Sequence, residues 1–152
     1  MPPAAEKLLA DLRRAFPRQD VTVETIVVYQ RELADVPAAV LEVAVRTVIR
    51  ASRWFPTVAE LREVAAEHML KLPGEAEALA QIEARMVWAR QPESTRGAPP
   101  LHPLAQEALD RVGGFHTFRV AEDATVIRGQ YGRLYRELRA AAVHAAQVGD
   151  LT

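Results

Sequence analysis

An all-helical fold is the expectation from this sequence. Apolar residues recur at helical spacing over nearly the whole chain, helix-start signals stand where those runs begin, and the one stretch whose composition also suits a strand would have no second strand to pair with. With 152 residues, 49% of them hydrophobic, there is room for one compact domain and an appended segment, and a core can be filled without a metal or a covalent staple.

The first helix carries Leu8, Leu9, Leu12 and Phe16 on one face and is closed by Pro17. A second starts after Asp20 or Thr22 and buries Ile26, Val27, Tyr29 and Leu33; this is the valine-rich stretch that also resembles a strand. A third begins near Asp35-Val36-Pro37, which supplies an N-cap candidate and a proline in the first turn. It presents Val40, Leu41, Ala44, Val45, Val48 and Ile49 and runs to about Ala51. The fourth has the clearest start. In Trp54-Phe55-Pro56-Thr57-Val58-Ala59-Glu60-Leu61 the spacing of Thr57 and Glu60 is that of a capping box, in which the threonine oxygen accepts from the third helical amide and the glutamate reaches back to the threonine amide. Its buried stripe is Val58, Leu61, Val64, Ala65, Met69 and Leu72, up to a break at Pro73-Gly74, after which Leu79, Ile82 and Met86 continue a helical pattern to about Arg90. One core is expected from Leu12, Phe16, Leu33, Val48, Trp54, Phe55 and Leu61.

Residues 91–100, QPESTRGAPP, are polar and proline-rich and read as a linker. Beyond them Leu104, Ala108, Leu109 and Val112 form a short helix stopped by Gly113-Gly114, and a last helix from about Asp123 carries Ile127, Tyr131, Leu134, Tyr135 and Leu138. The expected architecture is therefore a small N-terminal helical bundle at 1–90, with a core at 4–72 and a helical extension at 74–90. A linker at 91–100 and a C-terminal helical unit at 101–152 follow. Two helices bury little by themselves, so the last unit is expected to pack on the first, on a partner chain, or only marginally on itself.

Charge and composition narrow the functions. The chain has 19 basic and 20 acidic residues, with no basic half hidden inside that balance: residues 1–90 hold 12 and 13, the remainder 7 and 7. Non-specific nucleic-acid binding draws on many Lys and Arg contacts to phosphate, so direct nucleic-acid binding is expected to be weak or absent. Cysteine is absent, which excludes disulfides, thiolate metal sites and thiol nucleophiles. The start, Met1 to Lys7, lacks a basic region followed by an apolar run, and no stretch approaches the roughly 18 uncharged residues of a membrane span. A cytoplasmic protein with no membrane association is expected.

No catalytic constellation emerges. There is no GxxxxGK[ST] loop, and neither Ser52 nor Ser94 stands in a GxSxG elbow. His68, His102, His116 and His144 are scattered rather than set at metal-ligand spacing. Glu60, Glu63 and Glu67 share a helical face and read as a solvated one. No catalytic residue, cofactor or metal is expected, and the protein reads as a non-enzyme that acts by binding.

Two surfaces stand out. Arg46, Arg50 and Arg53 recur at helical spacing before Trp54 and form a weak candidate nucleic-acid contact, against the plainer reading of a solvated face with Trp54 anchored in the core. On the last helix Arg128, Arg133, Arg136 and Arg139 surround Tyr131 and Tyr135, residue types that anchor protein interfaces. These six are the candidate partner-binding residues. The alternative, left open by the sequence, is that the tyrosines pack on the preceding short helix.

Tyr29, Leu33-Ala34-Asp35, Pro37, Leu41, Ala44 and then Ser52-x-Trp54-Phe55-Pro56-Thr57-Val58-Ala59-Glu60-Leu61 resemble the phage loader and inhibitor of replicative helicase family over roughly residues 5–67. More loosely, His102-Pro103, Ala108, Gly113-Gly114 and Ile127-Arg128-x-Gln130-Tyr131-x-x-x-Tyr135 look like the C-terminal pattern of prophage replication proteins. The resemblance implies a small helical domain followed by a tail that engages the hexameric replicative helicase. It also implies inhibition of the helicase in solution and help in loading it at an origin-bound initiator, with no catalysis. The alternative is a small helical DNA-binding or transcription-regulating protein.

Overall fold

The described residues, 1–91 and 97–149 of a computed structural model, form eight α-helices and no strand. They are α1 (Pro3–Ala15), α2 (Val23–Glu32), α3 (Ala38–Ala51), α4 (Val58–Leu70), α5 (Glu75–Ala89), α6 (Pro103–Arg111), α7 (Gly114–Val120) and α8 (Ala124–Val148). The valine-rich stretch is helical, and its start is set by Thr22, whose side chain accepts from the Thr25 amide at 3.2 Å. Of the expected linker, residues 92–96 lie outside the described residues, and 97–100 have no regular structure.

The chain divides into two compact units, Met1–Lys71 with Val143–Thr152, and Leu72–Ala142. This differs from the expected division at 1–90, 91–100 and 101–152 in two places. Helix α5, expected as an extension of the N-terminal domain, belongs to the second unit, and the end of α8 belongs to the first. The physical reason is burial. Ala78 and Ile82 of α5 share a fully buried cluster with Ala105, Ala108 and Leu109 of α6 and Tyr131 and Tyr135 of α8.

In the first unit α1 packs on α2 and α3, and α3 on α4. Leu9, Leu12, Leu33, Leu41, Val45 and Leu61 are wholly buried and make the core. The capping box of α4 is present: the Thr57 hydroxyl accepts from the Glu60 amide at 3.1 Å, and the Thr57 amide donates to the Glu60 carboxylate at 2.7 Å. Asp35 does not cap α3, whose N-cap position is Pro37. It instead holds Arg62 of α4 by two hydrogen bonds, of 2.6 and 2.8 Å. Arg62 also donates to the backbone oxygens of Gln147 and Gly149, and the Gln147 amide returns a bond to the Ala59 carbonyl. Val143 is buried, so the chain's last described turn is tied into this unit by packing and hydrogen bonds together.

Several residues expected inside lie outside. Val27 is 56% exposed, Ile49 and Met69 are partly open, and Trp54, expected as a core anchor, is 73% exposed. Phe55 takes the inward place, half-buried between Phe16 at 6.0 Å and Tyr29 at 5.4 Å between ring centroids. Of the two adjacent aromatic rings only that of Phe55 faces the core.

In the second unit α5 packs on α6 and α6 on α7. Helix α7 has no counterpart in the sequence expectation, which stopped the chain at Gly113-Gly114. Gly113 has φ +108°, a conformation open to glycine, and there a Cβ would collide with the Thr117 hydroxyl, so the chain turns sharply and re-enters a helix at once. The side chain of His102 caps α6, its Nδ1 accepting from the Leu104 amide at 3.1 Å.

Candidate interaction surfaces

The tyrosine stripe of α8 is not a surface. Tyr131 and Tyr135 are both fully buried, stacked at 6.0 Å with an interplanar angle of 15°, and Phe118 of α7 meets Tyr131 edge-on at 5.8 Å. Their hydroxyls find buried acceptors: Tyr131 donates to the Ala105 carbonyl at 3.3 Å and Tyr135 to the Pro73 carbonyl at 2.5 Å. Burial raises the pKa of both phenols. Tyr135 raises that of Tyr131 further, and for Tyr135 the nearby Arg139 opposes the shift while Glu77 adds to it. Tyrosine carries both a large apolar ring and a polar end, and here each ring fills the core while its hydroxyl satisfies a carbonyl. The assignment of these two residues to a partner surface is therefore corrected in favour of packing.

The arginines around them separate by role. Arg128 pairs with Glu83 at 2.6 Å and Arg136 with Glu75 at 2.6 Å, which fastens α8 to α5. Arg139 is half-buried beside Tyr135, and Arg133 is exposed. Their sequence spacing placed them on one helix, but two of the four serve the fold rather than form a common docking face.

The first unit offers a different surface. Between α3 and α4 the Ser52 hydroxyl accepts from the Trp54 amide at 3.2 Å and donates to the Trp54 carbonyl at 2.8 Å, and the Phe55 amide donates to the Gln19 side chain at 2.5 Å. Tyr29 donates to the Pro56 carbonyl at 2.7 Å, closing the turn from the other side; burial and the nearby Glu60 carboxylate raise its pKa. These bonds fasten the backbone of the turn, from which the Trp54 indole is 73% exposed. Beside it Arg46, Arg50 and Arg53 are all exposed; Arg46 is paired with Glu42 at 2.6 Å. Gln19, which accepts from the turn, carries no signal in the sequence, because its partner lies 36 positions away.

The second unit holds a cleft of about 270 Å³ between α5 and α7. Met86, Trp88 and Phe115 give it an apolar lining, and Arg85, Arg90 and Arg119 stand around it. Among the described residues no three His, Asp or Glu side chains are grouped so as to hold a metal ion, and no helix is long and apolar enough to cross a membrane. No family model, curated protein or solved structure matches the chain.

Proposed function

We propose that this chain is an adaptor without chemistry of its own that binds a hexameric replicative helicase, holds it inactive in solution and helps deliver it to an initiator-bound origin. The observation that carries the reading is where the residues of the family resemblance lie. Tyr29, Phe55, Pro56, Thr57 and Glu60 interlock in one corner of the first unit, and beside them Trp54, its backbone held by Ser52, leaves its indole exposed. Exposed tryptophans are efficient interface anchors, since they bury a large area on binding. An adaptor of this kind works by differential affinity: preferring one state of the ring, it shifts the ring toward that state stoichiometrically, and any ATP turnover belongs to the helicase.

The test mixes the purified full-length chain with the replicative helicase of its host or replication module and follows the complex by size-exclusion chromatography and DNA unwinding. A stable complex with suppressed unwinding, lost in Trp54→Ala, is expected. Helicase that elutes alone and unwinds at its full rate overturns the reading. A DNA-binding protein is the second reading, favoured by the exposed Arg50 and Arg53 next to Trp54. DNA affinity of the chain alone, measured at two salt concentrations, separates the two, because phosphate contacts produce a steep salt slope.

A further inference from the structure

The cleft between α5 and α7 is outside every role given above. Its lining joins apolar side chains and guanidinium groups. Met86, Trp88 and Phe115 form an apolar wall, and three guanidinium groups, of Arg85, Arg90 and Arg119, surround it with no carboxylate among the described lining residues. Among the described residues the ion pairs of this unit, Arg111–Glu107, Arg128–Glu83 and Arg136–Glu75, involve none of the three. Arg85 is oriented by its Nε donating to the Pro99 carbonyl at 2.5 Å, and Arg90 and Arg119 are exposed.

We propose that this cleft is a docking site for an acidic peptide segment that carries one aromatic or large aliphatic anchor. The volume, about 270 Å³, suits one large side chain rather than a cofactor. The anchor would lie against Trp88 and Phe115, while carboxylates flanking it in the partner's sequence meet Arg90 and Arg119. Guanidinium groups recognise carboxylates by paired, charge-assisted hydrogen bonds, and those bonds strengthen next to a surface that excludes water. A nucleic acid fits less well. Residues 72–142 contain nine basic and nine acidic residues, so there is no extended cationic track for a phosphate backbone beyond the cleft itself. Any protein with such a segment would be a suitable partner, whether or not it is a helicase.

A random peptide library displayed on phage and selected on the full-length chain tests this, with counter-selection on Ala89→Trp. Ala89 is exposed and lines the cleft, so tryptophan there fills the cleft from the helix surface. The peptides recovered are expected to share an aromatic or aliphatic residue flanked by Asp or Glu. A synthetic peptide of that consensus should bind the wild-type chain, lose about tenfold or more in affinity with Arg119→Glu, and lose it again when its anchor is replaced by alanine. Circular dichroism on both protein variants establishes that they keep the fold. Recovery of no peptide that distinguishes the wild-type chain from Ala89→Trp overturns the proposal, as does a basic consensus. So does an oligothymidine probe that occupies the cleft and is displaced by the same two substitutions. Helicase binding retained in Ala89→Trp would leave the Trp54 surface as the helicase contact and the peptide site as a separate one.

Discussion

At the scale of single residues, the buried tyrosines make the sharpest claims. Tyr135 donates to the Pro73 carbonyl inside the second unit, so Tyr135→Phe should leave a buried acceptor unsatisfied and cost about 1–2 kcal/mol, read as a lower urea midpoint with an unchanged slope. The raised pKa values of Tyr131 and Tyr135 also give stability a pH dependence of definite sign. A phenol whose folded pKa lies above its unfolded value stays protonated in both states below the ordinary value of 10.0, so its contribution is complete there. As pH rises past that value the unfolded chain ionises first, and stability falls. Urea titrations at rising alkaline pH should show this loss, with both phenols ionising in ultraviolet absorbance at higher pH in the folded chain than in the urea-unfolded one. Trp54 should behave in the opposite way: Trp54→Ala removes an exposed ring and is expected to change stability by no more than about 0.5 kcal/mol.

Among the elements, α4 and the end of α8 are the informative ones. Thr57→Ala removes one half of the capping box and should cost about 1 kcal/mol, measured by thermal or urea unfolding. The last turns of α8 matter more. A chain ending at Ala142 loses the buried Val143 and the acceptors that Arg62 finds at Gln147 and Gly149. We expect a loss on the order of 2–4 kcal/mol from the combined burial and hydrogen-bond terms, in a segment that sequence alone assigned to a separate C-terminal unit. An unchanged unfolding midpoint would show that these contacts contribute nothing in solution.

For the whole molecule, the division into units determines which fragments can stand alone. A cut near Gln91 is the one the sequence suggests, because polar and proline-rich residues follow it, yet it separates α5 from α6 and α8 and exposes Ala78 and Ile82. A fragment of residues 72–142 keeps that entire cluster and should fold as a helical unit with a cooperative transition. Residues 1–71 without 143–149 should be helical but markedly less stable than the same unit in the full chain. Circular dichroism with urea titration of the two fragments and of a 1–91 fragment checks both expectations. A 1–91 fragment more stable than residues 72–142 would contradict the division.

The sequence alone determined the helical character of the chain and most helix starts, because those depend on neighbours three and four positions away. Thr57 with Glu60, Pro73-Gly74 and Gly113-Gly114 can be read as punctuation without any tertiary knowledge. The candidate sites were less legible. A stripe such as Ile127, Tyr131, Leu134, Tyr135 and Leu138 announces that one face of a helix will be covered, but periodicity carries no information on what covers it. Only the tertiary structure decided that Tyr131 and Tyr135 are covered by α5, α6 and α7, that α5 belongs with them, and that of two adjacent aromatics Phe55 turns inward while Trp54 stays out. Those outcomes rest on contacts between residues far apart in the chain, such as Gln19 with Phe55 and Pro73 with Tyr135, and no local pattern encodes them.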